Sequence, residues 1–215
     1  MTLTLHYHPL SSFCHKALIA LYENGTPFEK HVVDLFDPVS FARHQRLWPI
    51  AKMPVLRDDA RDQTVPEATI VIEYLEQYYP GPTPLIPVDR DAARETRLRD
   101  RFYDLYVNEP VGKIVTDKLR PAGKNDEVGV ERARSLLSTA YGIIEAEMGE
   151  RTYAIGDAFT MADCAAAPAL YYASRVQPFG AQHPHTSAYL ARLTARPSYA
   201  RALEEAEPYF KLFPG

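Results

Sequence analysis

Residues 8–25 read HPLSSFCHKALIALYENG, and they follow directly on the apolar run Leu3-Thr4-Leu5-His6-Tyr7. The run before them has the composition and length of a short strand. From Cys14 to Glu23 the apolar residues Ala17, Leu18, Leu21 and Tyr22 recur at helical spacing, and Asn24-Gly25 closes the pattern. A strand, a tight loop and a helix starting near Ser12 gather several unpaired backbone N–H groups at one point, where the helix dipole also favours an anion. A thiolate is such an anion, and thiols near helix N-termini have lowered pKa values. Serine is also the common N-cap residue, so Ser11 or Ser12 has a purely mechanical reading too. The stretch alone leaves both open.

Working outward, the first third of the chain continues to mix strand and helix patterns. Phe28–Val33 reads as a second strand, and about Pro38 to Leu47 as a helix. Val55-Leu56-Arg57 and Gln63-Thr64-Val65 flank a turn-like segment as a hairpin. Glu67 to Tyr79 carries Ile70, Val71, Tyr74, Leu75 and Tyr78 at helical spacing. Then YYPGPTPLIPVD interrupts with four prolines and a glycine, which suit neither a helix interior nor a central strand. Beyond it, helical periodicity dominates: Asp91 to about Leu119, Glu127 to Met148, Thr160 to about Arg175, and shorter helices from Thr186 and Ser198. An α/β domain over 1–80, a linker over 81–90 and an all-helical domain over 91–215 are the expected organisation.

Composition narrows the function class. The chain has 215 residues and a net charge of −4, with no long basic block or basic stripe interleaved with aromatics, so nucleic acid is not an expected partner. No apolar run approaches the ~18 residues of a membrane span, and no secretory pattern precedes the first strand. The only cysteines, Cys14 and Cys164, lack metal-ligand spacing and read as two reduced thiols of a cytoplasmic protein. His6-x-His8 and His183-Pro-His185 have no third or fourth ligand at metal-site spacing, so no metal is expected.

Three further motifs carry information. In WPIAKMPVL, Pro54 stands just before a strand, where a cis Met53-Pro54 bond would turn the backbone and leave the main chain of Met53 unpaired. In VPEATIVIEYLE, Pro66 and Glu67 open a helix in the usual manner, or offer a second anion site at its N-terminus. In GDAFTMADCAAAP, Thr160 and Asp163 have capping-box spacing, with Phe159 as the staple residue. The box reads as structural.

In this order and at these separations, SSFCHKALIAL, KMPVL, PEATIVIEYLE and GDAFTMADCAAAP resemble the soluble glutathione S-transferase family along essentially the whole chain. The resemblance implies a thioredoxin-like N-terminal domain, an all-helical C-terminal domain and a symmetric homodimer. It also implies activation of the glutathione thiol for attack on a small hydrophobic electrophile, with glutathione as co-substrate and no bound cofactor. Ser11-Ser12-Phe13-Cys14 would occupy the C-x-x-C position of the thioredoxin fold with its first cysteine replaced. The sulfur-contacting candidates are then Ser11 (the theta-like register), Ser12 (the beta-class register) and Tyr7 (the tyrosine-type position), with Cys14 last because it faces the helix's packing side. By the same resemblance Lys52, Met53, Pro54, Glu67 and Ala68 would bind glutathione, and Phe102, Tyr103, Tyr106 and Val107 would line the electrophile site. Two positions depart from the family pattern: Ala68 stands where Ser is usual, and Trp48 where Asn is usual. The rival expectations are a non-catalytic binding or scaffold module of the same fold, and a specialised glutathione-dependent isomerase or dehalogenase.

Overall fold

The structure is a computed structural model and describes residues 3–214. The chain forms two compact units. The first takes the residues up to Ile86 and, from the far end of the chain, Pro197–Phe210. The second takes Pro87–Arg196 and the residues from Lys211 onward.

The first unit is built on a four-stranded sheet of β1 (Leu3–Tyr7), β2 (Glu29–Val32), β3 (Val55–Asp58) and β4 (Gln63–Pro66), in the order β2-β1-β3-β4. β1 and β2 are parallel, so the chain between them must cross over, and α1 (Ser12–Glu23) is that crossover. The β1–β3 and β3–β4 pairs are antiparallel. Leu3, Leu5 and Tyr7 alternate into the core while Thr4 and His6 face the other side.

The periodicity of α1 suggested one buried face; instead every residue from Cys14 to Leu21 is buried. The sheet covers one side, and α3 (Ala68–Tyr78) and α9 (Pro197–Ala206) pack on the helix as well. The two polar residues in that run are accommodated individually. His15 Nε2 donates to the Pro9 carbonyl at 2.6 Å, and Lys16 Nζ donates to Thr69 Oγ1 at 2.8 Å. α1 ends where Gly25 adopts φ +60°, the left-handed conformation that glycine supplies without a steric penalty.

A buried carboxylate closes the hairpin. Asp58 accepts the hydroxyls of Tyr74 (2.7 Å) and Tyr79 (2.5 Å) and the amides of Ala60 and Arg61, which ties the β3–β4 turn to α3. On α3 itself Val71, Ile72 and Leu75 are buried, whereas Ile70 and Tyr78, expected on the packing face, are exposed. The proline-rich stretch is not a free tether. Thr83 donates its amide to Asn24 Oδ1 at 2.9 Å, the amides of Leu85 and Ile86 donate to the Glu76 carboxyl, and Leu85 is buried. Gly81 is required here, because a Cβ would lie 2.3 Å from the Asn24 Cβ.

The second unit is helical: α4 (Arg90–Phe102), α5 (Glu109–Lys118), α6 (Glu127–Met148), α7 (Met161–Val176) and α8 (Pro184–Ala195). The expected single helix from Asp91 to Leu119 is interrupted by a π-helical segment, Tyr103–Asn108, between α4 and α5. α7 is the core helix, with Ala162, Ala165, Ala166, Ala167, Ala169 and Ala173 allowing its neighbours to approach closely. Asp163 receives four donors: the amides of Ala154 (2.9 Å) and Thr160 (2.8 Å), and the hydroxyls of Thr160 (3.1 Å) and Tyr189 (2.5 Å). The structural reading of Thr160-x-x-Asp163 is therefore borne out, and Phe159 is buried beside it against Tyr153. The last helix, expected to belong with these, packs instead in the first unit. There Tyr22 donates to Glu205 at 2.7 Å and Ser198 to Glu23 at 2.8 Å.

Candidate functional site

Sheet register brings three loops of the first unit to one end. His6 pairs with Val55, and Val55 pairs with Pro66. The loop leaving β1, the loop entering β3 and the loop leaving β4 therefore share that end, and they carry Ser11-Ser12, Lys52-Met53-Pro54 and Glu67-Ala68. Residues separated by more than fifty positions meet because of this pairing. The Lys16–Thr69 hydrogen bond fixes α1 to the first turn of α3 beside it.

Ser11 is the N-cap of α1, with extended backbone (φ −78°, ψ 119°), and its Oγ accepts the Cys14 amide at 3.3 Å. The hydroxyl also bonds the Cys14 thiol, which is protonated at neutral pH and donates to it. Both contacts use the oxygen's lone pairs and leave its proton to donate, so capping and donation to a bound anion are compatible. Ser12 is the first helical residue and is half-buried. The amides of Ser12 and Phe13 make no hydrogen bond among the described residues, and no acidic side chain lies in the first turn of α1. The local field is that of an uncompensated helix N-terminus.

The other sulfur-contacting candidates differ. Burial pushes the Tyr7 phenol up to about 12, with Glu205 and Tyr209 adding to the effect, and the residue is 5% exposed. It is the last residue of β1, next to the loops, with its side chain on the core face of the sheet. Burial likewise pushes the Cys14 thiol up to about 12, so at neutral pH it remains an inert core thiol. Neither cysteine forms a disulfide and both are buried, as the sequence suggested.

In the second loop the expected cis Met53-Pro54 bond is present. Met53 precedes the first β3 pair, and its main-chain groups make no hydrogen bond among the described residues. Lys52 is exposed, and its carbonyl accepts from His44 Nε2 at 3.1 Å. In the third loop Glu67 has φ +69°, a conformation uncommon for a side chain of this kind, and it turns the chain sharply from β4 into α3. Glu67 is exposed and Ala68 is buried.

The four residues expected at the electrophile site do not stay together. Tyr103 is 1% exposed and Val107 fully buried, and Phe102 is mostly buried, while Tyr106 is 47% exposed. Tyr103 bonds Tyr189, itself a donor to Asp163, so it is part of the helical unit's core network. The π-helical segment is the reason: its wider turn rotates the faces beyond Phe102 out of the register that a regular helix would keep. Tyr103 and Val107 are thus core residues, a correction to the expected set. Phe102 sits edge-on to Tyr106 at 5.6 Å between ring centroids. Sequence reasoning also missed Lys16, a fully buried cation whose only sequence signal is its place within an apolar run.

Comparison with known proteins gives a consistent result. Residues 5–83 match the family model described as glutathione S-transferase, N-terminal domain, and residues 102–197 match glutathione S-transferase, C-terminal domain. A stringent starvation protein A homolog of Coxiella burnetii is 30% identical over 210 residues, covering 95% of this chain and 93% of that protein. Glutathione S-transferase U25 of Arabidopsis thaliana is 28% identical, covering 95% and 90%. Among solved structures, a glutathione S-transferase from Methylobacterium radiotolerans in complex with glutathione sulfonate is 29% identical with a TM-score of 0.80, covering 94% of each chain.

Proposed function

Because this chain belongs to the glutathione S-transferase family, we propose that it binds glutathione where the three loops of the first unit meet and activates its thiol for attack on a small hydrophobic electrophile. The observation that carries this reading is Ser11: its capping bond leaves the hydroxyl proton available, at a helix N-terminus with no acidic residue in the first turn. In the proposed complex the main chain of Met53 pairs with the cysteinyl part of glutathione, and Lys52 reaches the glycine carboxylate. Glu67 and the amide of Ala68 hold the γ-glutamyl end. Ala68 removes the hydroxyl usual at that position, but its amide stays directed along α3. On the electrophile side the exposed aromatic of the helical unit is Tyr106, backed by Phe102. Assembly as a homodimer is part of the same proposal, and a light-scattering mass at the monomer value would remove it.

The magnitude suits the role. A hydrogen bond to a charged group contributes ~1.5–3 kcal/mol, which acidifies the thiol by roughly one to two pKa units. A thiol starting near ~8.5 then becomes about half thiolate near neutrality. Titrating the ultraviolet absorbance of enzyme-bound glutathione thiolate tests this. Ser11→Ala should raise the midpoint by roughly one to two units and lower turnover at pH 7 by ~10-fold or more, with part of the loss recovered at higher pH. A shift in Ser12→Ala alone would move the role to Ser12, and in Tyr7→Phe alone to the phenol.

A second reading is a non-catalytic module. Ala68 favours it, as does the similarity to proteins named stringent starvation protein A homolog. If bound glutathione titrates like free glutathione in the parent protein and all three variants, this second reading stands.

A further inference from the structure

The sheet face opposite α1 carries a cluster of three imidazoles. His6 on β1 pairs across the parallel ladder with His31 on β2, their ring centroids 4.7 Å apart at an interplanar angle of 50°. His44 lies over them from the helix α2 (Pro38–Leu47), 6.2 Å from His6 and stacked on it. α2 is otherwise poorly held. His44, 2% exposed, is its one buried residue, while Val39 is 74% and Phe41 37% exposed. The anchor of this helix is therefore an imidazole, where an aliphatic or aromatic side chain would serve packing as well.

His44 has a second connection. Its Nε2 donates to the Lys52 carbonyl at 3.1 Å, which joins α2 to the segment that leads into Met53-Pro54. Because a carbonyl only accepts, that nitrogen carries the proton of the neutral ring. Nδ1 is then the basic nitrogen, and it is buried with no hydrogen-bond partner. We propose that α2 is a proton-sensitive latch: with His6 neutral, His44 holds α2 and the 51–53 segment on the sheet, and proton uptake by His6 releases both.

The charged surroundings do not stabilise a cationic cluster. His6 faces His31 from β2, and Arg43 and His44 from α2; all three oppose its protonation. Asp59, in the β3–β4 turn, is the one group favouring it, and that carboxylate is already engaged by Arg57 at 3.0 Å. Arg57 is opposite Thr4 on β3 and also pairs with Asp62, and Glu29 opposite Thr4 on β2 is exposed. Burial, with the neighbouring histidines and Arg43, lowers the His6 imidazole to about 4. A histidine depressed in the closed state favours opening as pH falls from its unperturbed value near 6.5 towards 4. At pH 5 the opening equilibrium gains a factor of about 30 from this one ring.

The released segment is the one that pairs with glutathione in the proposed function, so weakened glutathione affinity in acid rests on that reading; the latch itself does not. The test is hydrogen exchange on the full chain without glutathione, with the intrinsic rate of each amide divided out at pH 7.5 and pH 5.0. Amides of α2, and that of Ala51, which donates to the Trp48 carbonyl, should lose protection by about 30-fold at pH 5.0, while those of α3 hold theirs. In His6→Gln the ring that supplies this factor is gone, and the response of α2 should fall to under ~3-fold. His31→Gln, at a half-buried position on the edge strand, keeps His44 and its bond and should shrink the response too. Equal protection of α2 at the two pH values, or an undiminished response in both variants, overturns the latch. Neither outcome depends on whether the protein binds glutathione, which the thiolate titration answers separately.

Discussion

Replacing Asp163 by alanine tests whether the Thr160–Asp163 motif is mechanical. The carboxylate is fully buried and takes four donors, two of them backbone amides (Ala154 and Thr160) and two of them hydroxyls (Thr160 and Tyr189). The hydroxyls can rotate to other acceptors, Tyr189 being already in contact with Tyr103. The two amides cannot, since their directions are fixed by the start of α7 and the loop before it. A buried donor left without a partner costs ~1–3 kcal/mol, so two of them make a loss of about 4 kcal/mol. For a chain of this size each kcal/mol corresponds to ~2–4 °C, and the thermal midpoint should fall by about 8–16 °C. Asp163→Asn keeps one acceptor and should fall between the parent and Asp163→Ala. Calorimetry or denaturant unfolding reads the loss, and turnover per folded molecule should be kept. A midpoint within ~2 °C of the parent, or intact stability with turnover gone, would show that the motif acts on chemistry and not on folding.

Two further outcomes follow from buried groups. Thiol counting should find two reactive groups in denaturant without reductant and neither in the native protein, because burial holds the Cys14 thiol near 12 and Cys164 is fully enclosed; fast labelling of the folded chain would contradict this. His15 is also lowered to about 4, by burial, against the opposing effects of the Pro9 carbonyl and Glu205. Its depressed value means that the unfolded chain takes up the proton first, so stability is lost as pH drops from 6.5 towards 4. The loss from this group at pH 5 should be about 2 kcal/mol. Unfolding of His15→Gln across that range should show a shallower pH dependence than the parent, and an identical slope would refute the assignment.

The parts of the fold that were legible in the sequence are those decided locally. Leu3–Tyr7, Pro38–Leu47 and Glu127–Met148 have the bounds their patterns suggest, because capping, proline and period act within a few residues. The Ser11 cap and the Asp163 box are local in the same sense. What was not legible depends on long-range pairing. The π-helical segment at Tyr103–Asn108 leaves no break in the apolar pattern, so the pattern predicts a regular helix through it, with Tyr103 and Val107 grouped with Tyr106. The burial of α1 on all sides depends on α9, nearly two hundred residues away, which no local rule connects to it. His6, His31 and His44 share no spacing at all; only the parallel register of β1 with β2 and the placing of α2 bring them together.

The return of α9 to the first unit has a consequence for the order in which the protein is made. Synthesis runs from the N-terminus, and domains tend to fold as they emerge. Here the ribosome must add the whole of residues 87–196 before the first unit receives Tyr199, Ala202 and Ala206, the buried side of its last helix. At ~5–20 residues per second that interval lasts roughly 5–20 seconds. During it α1 lacks one wall, Tyr22 and Lys30 lack Glu205, and Glu23 lacks Ser198. The unit begun first thus waits for its last helix until the five helices of the second have been made. Translation that stops just after Arg196 would release a chain with all five of those helices made and its sheet half unsealed.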